Sequence, residues 1–270
     1  MVRTIVAIFS LSLLLFGGVV DDKVKSFVGI KKYEKSKKII DILLGNKSRY
    51  LKDGRVDAVT LLENLKKNGF INLTLKRPMP ITITFETKGR AILFLKILNT
   101  ALNSMGFNFY TTKKALKVGE KFSWTISMMS EYLLDPVAFS NELKKFGCRV
   151  TDIEKLSPTK WDYNISMQDA KLRAKEILSD GVYKLKKPIK PYWLMMGDDA
   201  SRLMITSYSL NRWHPFIVFF DKKLNILSIY KDGDKREKVS VDIPEKTKYI
   251  LIDDEFTLTN IRIGLKIYAK

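Results

Sequence analysis

Histidine and cysteine are almost absent from this 270-residue sequence, with one of each, and acidic residues are scarce beside basic ones, 29 against 48. A single histidine excludes a zinc site built from several His or Cys ligands, and any Ser-His-Asp or Cys-His centre would have to use His214. That residue sits in "NRWHPF", at the entrance to an apolar strand, where a structural hydrogen bond is the commoner role. A single cysteine excludes an internal disulfide. Cys148 precedes Arg149 and Val150 at the start of an expected strand and reads as a small buried apolar side chain. Glycine-rich phosphate loops and dinucleotide fingerprints are also missing, so neither a nucleotide nor another cofactor is expected, and no metal.

The excess of lysine and arginine gives a formal charge of +19 at pH 7. Such a surplus favours anionic surroundings through a salt-sensitive field. The opening "MVRTIVAIFSLSLLLFGGVV" places one arginine before an apolar run that stops abruptly at "DDKVK", the pattern of an export signal. Gly17 and Gly18 supply small residues for cleavage, while the length from Thr4 to Val20 also approaches a membrane span. Residues 1–20 are therefore expected as a signal peptide or an inner-membrane anchor, which places the remainder in the periplasm. No cysteine follows the run, which excludes a lipid-modified N-terminus. The lysines are dispersed over every region, in "KKYEKSKK", "TTKKALK", "KLKKPIK" and "DKREK", as solvated faces are. Dispersal and export together argue against a nucleic-acid partner.

Residues 21–46 show helical spacing at Ile39, Ile40, Leu43 and Leu44 and predict a linker helix that stops at Gly45. Beyond it, "LLENLKKNGF" and "FSNELKKFGC" carry a leucine, two lysines and a glycine in the same register. Asp57 can cap the first of these helices and Gly69 can end it; Asp135 and Pro136 start the second, which closes at Gly147. The strands "FINLTLK" and "ITITFET" flank "RPMP" as a hairpin, and "RAILFLKILNTALNSMG" is an apolar helix. In the second copy "CRVTDIEKL" and "KWDYNIS" pair across Pro158, and "AKLRAKEILSDG" is the second helix. The parallel order predicts two tandem ferredoxin-like β-α-β-β-α-β modules, at 47–118 and 119–187. In order and placement they resemble docking units of envelope machinery, including the alignment proteins of type IV pilus and type II secretion systems.

From 188 to 270 the pattern changes to short aromatic and β-branched segments, such as "RLMITSYS", "PFIVFFD" and "KYILIDD", between turns rich in Asp, Gly and Lys. This predicts an all-β sandwich. The whole chain is thus expected to be α+β. "HPFIVFFDKKLNIL" followed by "VDIPEKTKYILIDD" resembles the strand pattern of the maltose-operon periplasmic protein family. That resemblance implies an exported β-sandwich with a carbohydrate connection.

Candidate sites follow from residue chemistry. Trp193, Tyr208 and Trp213, with Arg212 beside the last, could stack on sugar rings or on a partner's side chains. Trp213 is the preferred surface candidate because it stands in an expected loop. Paired acids can hydrolyse glycosides without histidine, which singles out Asp198 with Asp199, and Asp253, Asp254 and Glu255. The same acids could give a weak calcium site, although adjacent acids in turns are usually solvated turn formers. The expectation is an exported, non-catalytic scaffold or binding protein that docks to envelope proteins or to an anionic or polysaccharide polymer. Carbohydrate binding and a glycan-active hydrolase are the alternatives.

Overall fold

The computed structural model describes residues 18–197 and 200–270. The expected signal or anchor thus lies almost wholly outside the described residues, as do Asp198 and Asp199. The chain divides into two compact units, the second being Leu172–Lys270.

The first unit opens with helix α1 (residues 18–28) and helix α2 (Ile30–Leu44), which meet at Gly29, where φ is 91°. This stretch was expected to be a linker, and it is part of the folded unit instead. Val20, Val24 and Phe27 are buried, and the Phe27 ring stacks on Trp161 at 6.1 Å. Lys47 bridges Asp21 of α1 and Asp41 of α2 at 2.6 and 2.9 Å. Tyr33, Ile40 and Leu44 form the buried stripe of α2, whereas Ile39 is exposed. Among the described residues no helix is long and apolar enough to cross a membrane.

A miniature hairpin follows, β1 (Leu51–Lys52) and β2 (Arg55–Val56), turning at Asp53 and Gly54, both with positive φ. That is the backbone a two-residue Asp-Gly turn provides. Next come α3 (Ala58–Lys67), β3 (Thr74–Lys88), α4 (Ala91–Ser104), β4 (Thr111–Val118), β5 (Lys121–Tyr132), α5 (Pro136–Lys144), β6 (Arg149–Ser157) and β7 (Lys160–Ser166). The Asp57 carboxylate accepts from the Thr60 amide at 3.1 Å and caps α3. Asp135 accepts from the amides of Val137 and Ala138 and caps α5.

All five long strands form one sheet in the order β4-β5-β3-β7-β6, antiparallel except for the parallel pair β3 and β7. This corrects the two tandem modules. Strands from both expected copies merge because β3 and β5 zip together from Met79–Lys88 against Lys121–Ser130. Ile81, Ile83 and Phe85 lie opposite Met128, Ile126 and Trp124, so separating the copies would expose two apolar strand faces. The helices cover that face, with α5 touching both α3 and α4. Phe85 is central to the core, with Phe139, Tyr163 and Trp124 ring centres 5.4, 5.7 and 5.9 Å away.

Two further expectations change. "RPMP" lies inside the single strand β3 and makes no hairpin. Pairing with β7 begins only at Thr82, so Pro78 and Pro80 sit where β3 has one neighbour and a missing N–H can face the open side. "AKLRAKEILSDG" is extended, not helical: it supplies β8 (Lys175–Ile177), which pairs in parallel with β10 (Tyr192–Met196) of the second unit.

The second unit contains β8, β9 (Val182–Leu185), β10, β11 (Arg202–Ser207), β12 (Pro215–Phe220), β13 (Ile226–Lys231), β14 (Lys238–Asp242), β15 (Tyr249–Asp254) and β16 (Leu265–Ala269). Its sheets run β13-β12-β15-β10-β8 and β14-β11-β16-β9. Both contribute to one core, Leu194, Phe219 and Ile250 from the first and Leu203, Ile205 and Ile267 from the second. The unit begins at Leu172 rather than at 188, because Ile177 and Leu185 belong to this core. The protein as a whole is α+β.

Candidate functional site

A cavity of about 960 Å³ opens at the end of the first unit's sheet, where the parallel strands β3 and β7 reach their carboxyl ends. Glu86, Thr87 and Lys88 enter it from β3, Asn164 and Ser166 from β7, and Lys121 from the start of β5. The register of β6 against β7 shifts between Val150 and Asp152, and this irregularity brings Thr151 and Asp152 to the same wall. The Thr87 hydroxyl donates to the Ile165 carbonyl at 2.8 Å and ties the two strand ends together. Lys23 of α1 and Arg55 of the hairpin complete the wall.

The charges are unbalanced. Among the described residues five basic side chains line the cavity, Lys23, Arg55, Lys88, Arg90 and Lys121, against two acids. Both acids are already neutralised, Asp152 by Lys23 at 2.7 Å and Glu86 by Lys121 at 2.8 Å. Arg90 donates to the carbonyls of Ala170, at 3.0 Å, and Met167, which fixes its guanidinium without cancelling its charge. Arg55 and Lys88 are exposed and have no carboxylate partner among the described residues. The cavity therefore carries a net positive field from three uncompensated cations, with neutral amide and hydroxyl groups between them. Nearby, burial pushes the Cys148 thiol up to about 11, against the opposing effect of the Arg90 charge. The lone cysteine is thus a buried, protonated side chain, not a nucleophile.

The residues singled out from the sequence do not assemble. Trp213, expected at the surface, has no exposed area and belongs to the second unit's core. Its indole N–H donates to the Asp253 carbonyl at 3.0 Å, which satisfies the one polar atom that would resist burial. Arg212 beside it is exposed, and its backbone amide donates to the Asn260 carbonyl. Tyr208 is exposed just beyond β11, whereas Trp193 lies on β10 of the other sheet, half-buried and stacked on Phe220 at 5.2 Å. The four residues form no common platform.

His214 and the acidic turn serve the backbone. Asp254 accepts from the amides of His214, Phe256 and Thr257 at 2.8 to 2.9 Å and from the Asn260 side chain at 2.9 Å. Burial opposes its ionisation, but these donors prevail and hold its carboxyl below the ordinary value. The His214 ring stands 3.6 Å from the same carboxylate and edge-on to Phe256. Glu255 pairs with Lys231 at 2.5 Å, and Asp253 accepts from the Asp254 amide at 2.8 Å. Among the described residues no group of three or more His, Cys, Asp or Glu is placed to hold a metal ion.

Sequence reasoning missed Arg55, Lys88, Arg90 and Lys121. They come from a hairpin, the end of β3, the start of α4 and the start of β5, and no spacing links them. Only the Asp-Gly turn before Arg55 carries a local signal, and it marks the hairpin alone.

No family model matches the chain, and no curated protein matches it. Among solved structures it is similar to the pre-peptidase C-terminal domain of a collagenase from Bacillus anthracis, at 10% identity over 38% of this chain and 100% of that one. The TM-score of that superposition is 0.27, too loose to carry an argument.

Proposed function

We propose that the protein is an exported, non-catalytic binding component of the cell envelope that engages anionic envelope material through its first unit. The observation that supports this reading best is the cavity at the sheet end, where Arg55, Lys88 and Arg90 keep uncompensated charge. Cations gathered in a concave space attract an anion more strongly than the same charges spread over an open surface. A binding role also suits the second unit, whose lone histidine and acidic turn are spent on holding loops in place. The export signal read at residues 1–20 supplies the compartment.

Capture from the native envelope tests the reading. The parent protein should fractionate with the envelope and retain anionic material, and Arg55→Glu with Lys88→Glu should cut that retention about tenfold, equivalent to about 1.4 kcal/mol. Recovery of the parent in the cytosolic fraction, or undiminished retention by the double variant, would overturn it.

A further inference from the structure

A second cavity, of about 390 Å³, adjoins the first on the far side of the β1–β2 hairpin. Arg55, Val56 and Thr151 line both, so the hairpin is a shared wall and Arg55 stands at the junction. The hairpin is held by its Asp-Gly turn and by the Asp57 amide, which donates to the Tyr50 carbonyl at 2.7 Å. Beyond it the second cavity adds Lys52, Lys144 and Arg149. Its acids are Asp53, in the turn, and Asp57, whose carboxylate is committed to capping α3. Among the described residues the two cavities are lined by eight basic and four acidic side chains; Lys23 and Lys121 pair with Asp152 and Glu86, which leaves six cations against Asp53 and the capping Asp57.

We infer that these adjoining cavities form one cationic groove that takes a linear, hydroxyl-bearing polyanion lying across Arg55. This rests on the binding role proposed above and names its ligand class. Each cavity alone is in the size range of a small-molecule site, so a ligand that fills both must carry more than one repeat unit. Charge is offered on both sides of the junction, which requires anionic groups that repeat along the ligand. Between the cations, the side chains of Asn164, Ser166 and Gln168 make no internal hydrogen bond among the described residues and can pair with hydroxyls. Among the described residues no aromatic side chain lines either cavity. Single-stranded nucleic acid is bound largely by stacking on aromatic rings, at about 1–3 kcal/mol per base, and the described lining of the groove offers none. The chemistry left is a chain of hydroxylated units bearing phosphate or carboxylate.

Calorimetric titration of the full chain with two oligomer series, oligogalacturonate for carboxylate and oligo(glycerol phosphate) for phosphate, separates the sources. In at least one series affinity should rise from one unit to six by about a hundredfold, the gain expected when linked groups occupy adjacent subsites, and should fall steeply with salt. Arg55→Glu should remove most of that gain, so that one-unit and six-unit oligomers bind with nearly equal affinity. Lys88→Glu, at one end of the groove, should weaken every length alike. The control Lys222→Glu with Lys223→Glu, on the exposed turn before β13, changes net charge without touching the groove and should leave both affinities as they were.

Affinity independent of length, an equal loss in the control, or a thymidine oligonucleotide binding as tightly with the same dependence on Arg55 would each overturn the inference. Length-independent binding of single units would still leave the binding role standing. Failure of every anion to bind would remove both.

Discussion

Trp213 shows how a single residue can be placed wrongly from its neighbours and rightly from its hydrogen bond. Flanked by Arg212 and His214, it reads as a loop residue; in the fold its ring fills the second unit's core while its N–H reaches the Asp253 carbonyl. Trp213→Ala should therefore cost about 3–5 kcal/mol in urea unfolding, the range for large aromatic truncations in cores. Tyr208→Ala, at an exposed position, should stay within about 0.5 kcal/mol. Cys148 is legible from sequence as a buried thiol, and its upward shift to about 11 predicts chemical silence. Iodoacetamide at pH 8 should label it only at the rate of global unfolding; rapid native labelling would contradict the burial. Asp254 has a pH signature of opposite sense. Its folded carboxyl titrates below the unfolded one, near about 3.9, so its stabilisation is present above that value and is lost as pH falls through the folded value. Asp254→Asn should lower stability by about 1–3 kcal/mol at pH 7. That deficit should narrow in urea titrations below about pH 4.

Among the elements, helix ends are the most legible features, and they explain the echo between "LLENLKKNGF" and "FSNELKKFGC". In α3 the Phe70 amide donates to the Leu65 carbonyl and the Gly69 amide to that of Lys66; in α5 Cys148 and Gly147 do the same with Leu143 and Lys144. Helix α4 ends identically, through Phe107 and Gly106 onto Leu102 and Asn103. All three are Schellman caps, with a leucine four residues before a glycine of positive φ. The shared pattern is thus a stop signal used three times and not a duplicated module. The glycines differ in what surrounds them. A methyl group at Gly69 or Gly106 would meet open space, whereas at Gly147 it would lie 2.2 Å from the Asp169 carbonyl oxygen. Gly69→Ala and Gly106→Ala should each cost about 1–2 kcal/mol from the left-handed backbone alone. Gly147→Ala should cost clearly more in the same chemical denaturation series, and equal losses at the three sites would refute the close approach. Strand signals were less reliable. Alternation marks the buried face of β3, but "RPMP" imitated a turn, and the apolar spacing of "AKLRAKEILSDG" imitated a helix although Leu172 and Ile177 are buried in an extended segment.

At the scale of the whole molecule, the boundary between the units is the point at which sequence and structure part. A change of texture at 188 marks where dense strands begin, yet β8 and β9 lie upstream of it and complete the two sheets. Leu185 pairs with Leu265, and Ile177 with Met196, and all four are core residues. A fragment covering Leu172–Lys270 should unfold cooperatively, while 188–270, which lacks one strand from each sheet, should show no cooperative thermal transition by circular dichroism. Equivalent transitions in the two would place the boundary back at 188.

The sequence by itself determined the local events: where α3, α4 and α5 end, which face of β3 is apolar, that the one cysteine is buried, and that the chain carries a large positive charge. These depend on a few adjacent residues and on the periods of helix and strand. Tertiary structure alone decided that five strands make one sheet, that Trp213 is interior, and that Arg55, Lys88 and Arg90 converge on one cavity. Those outcomes turn on competition among partners distant in sequence. Strands β3 and β5 pair side by side and present one apolar face to the helices, and the cations meet because that sheet brings the strand ends and the hairpin together.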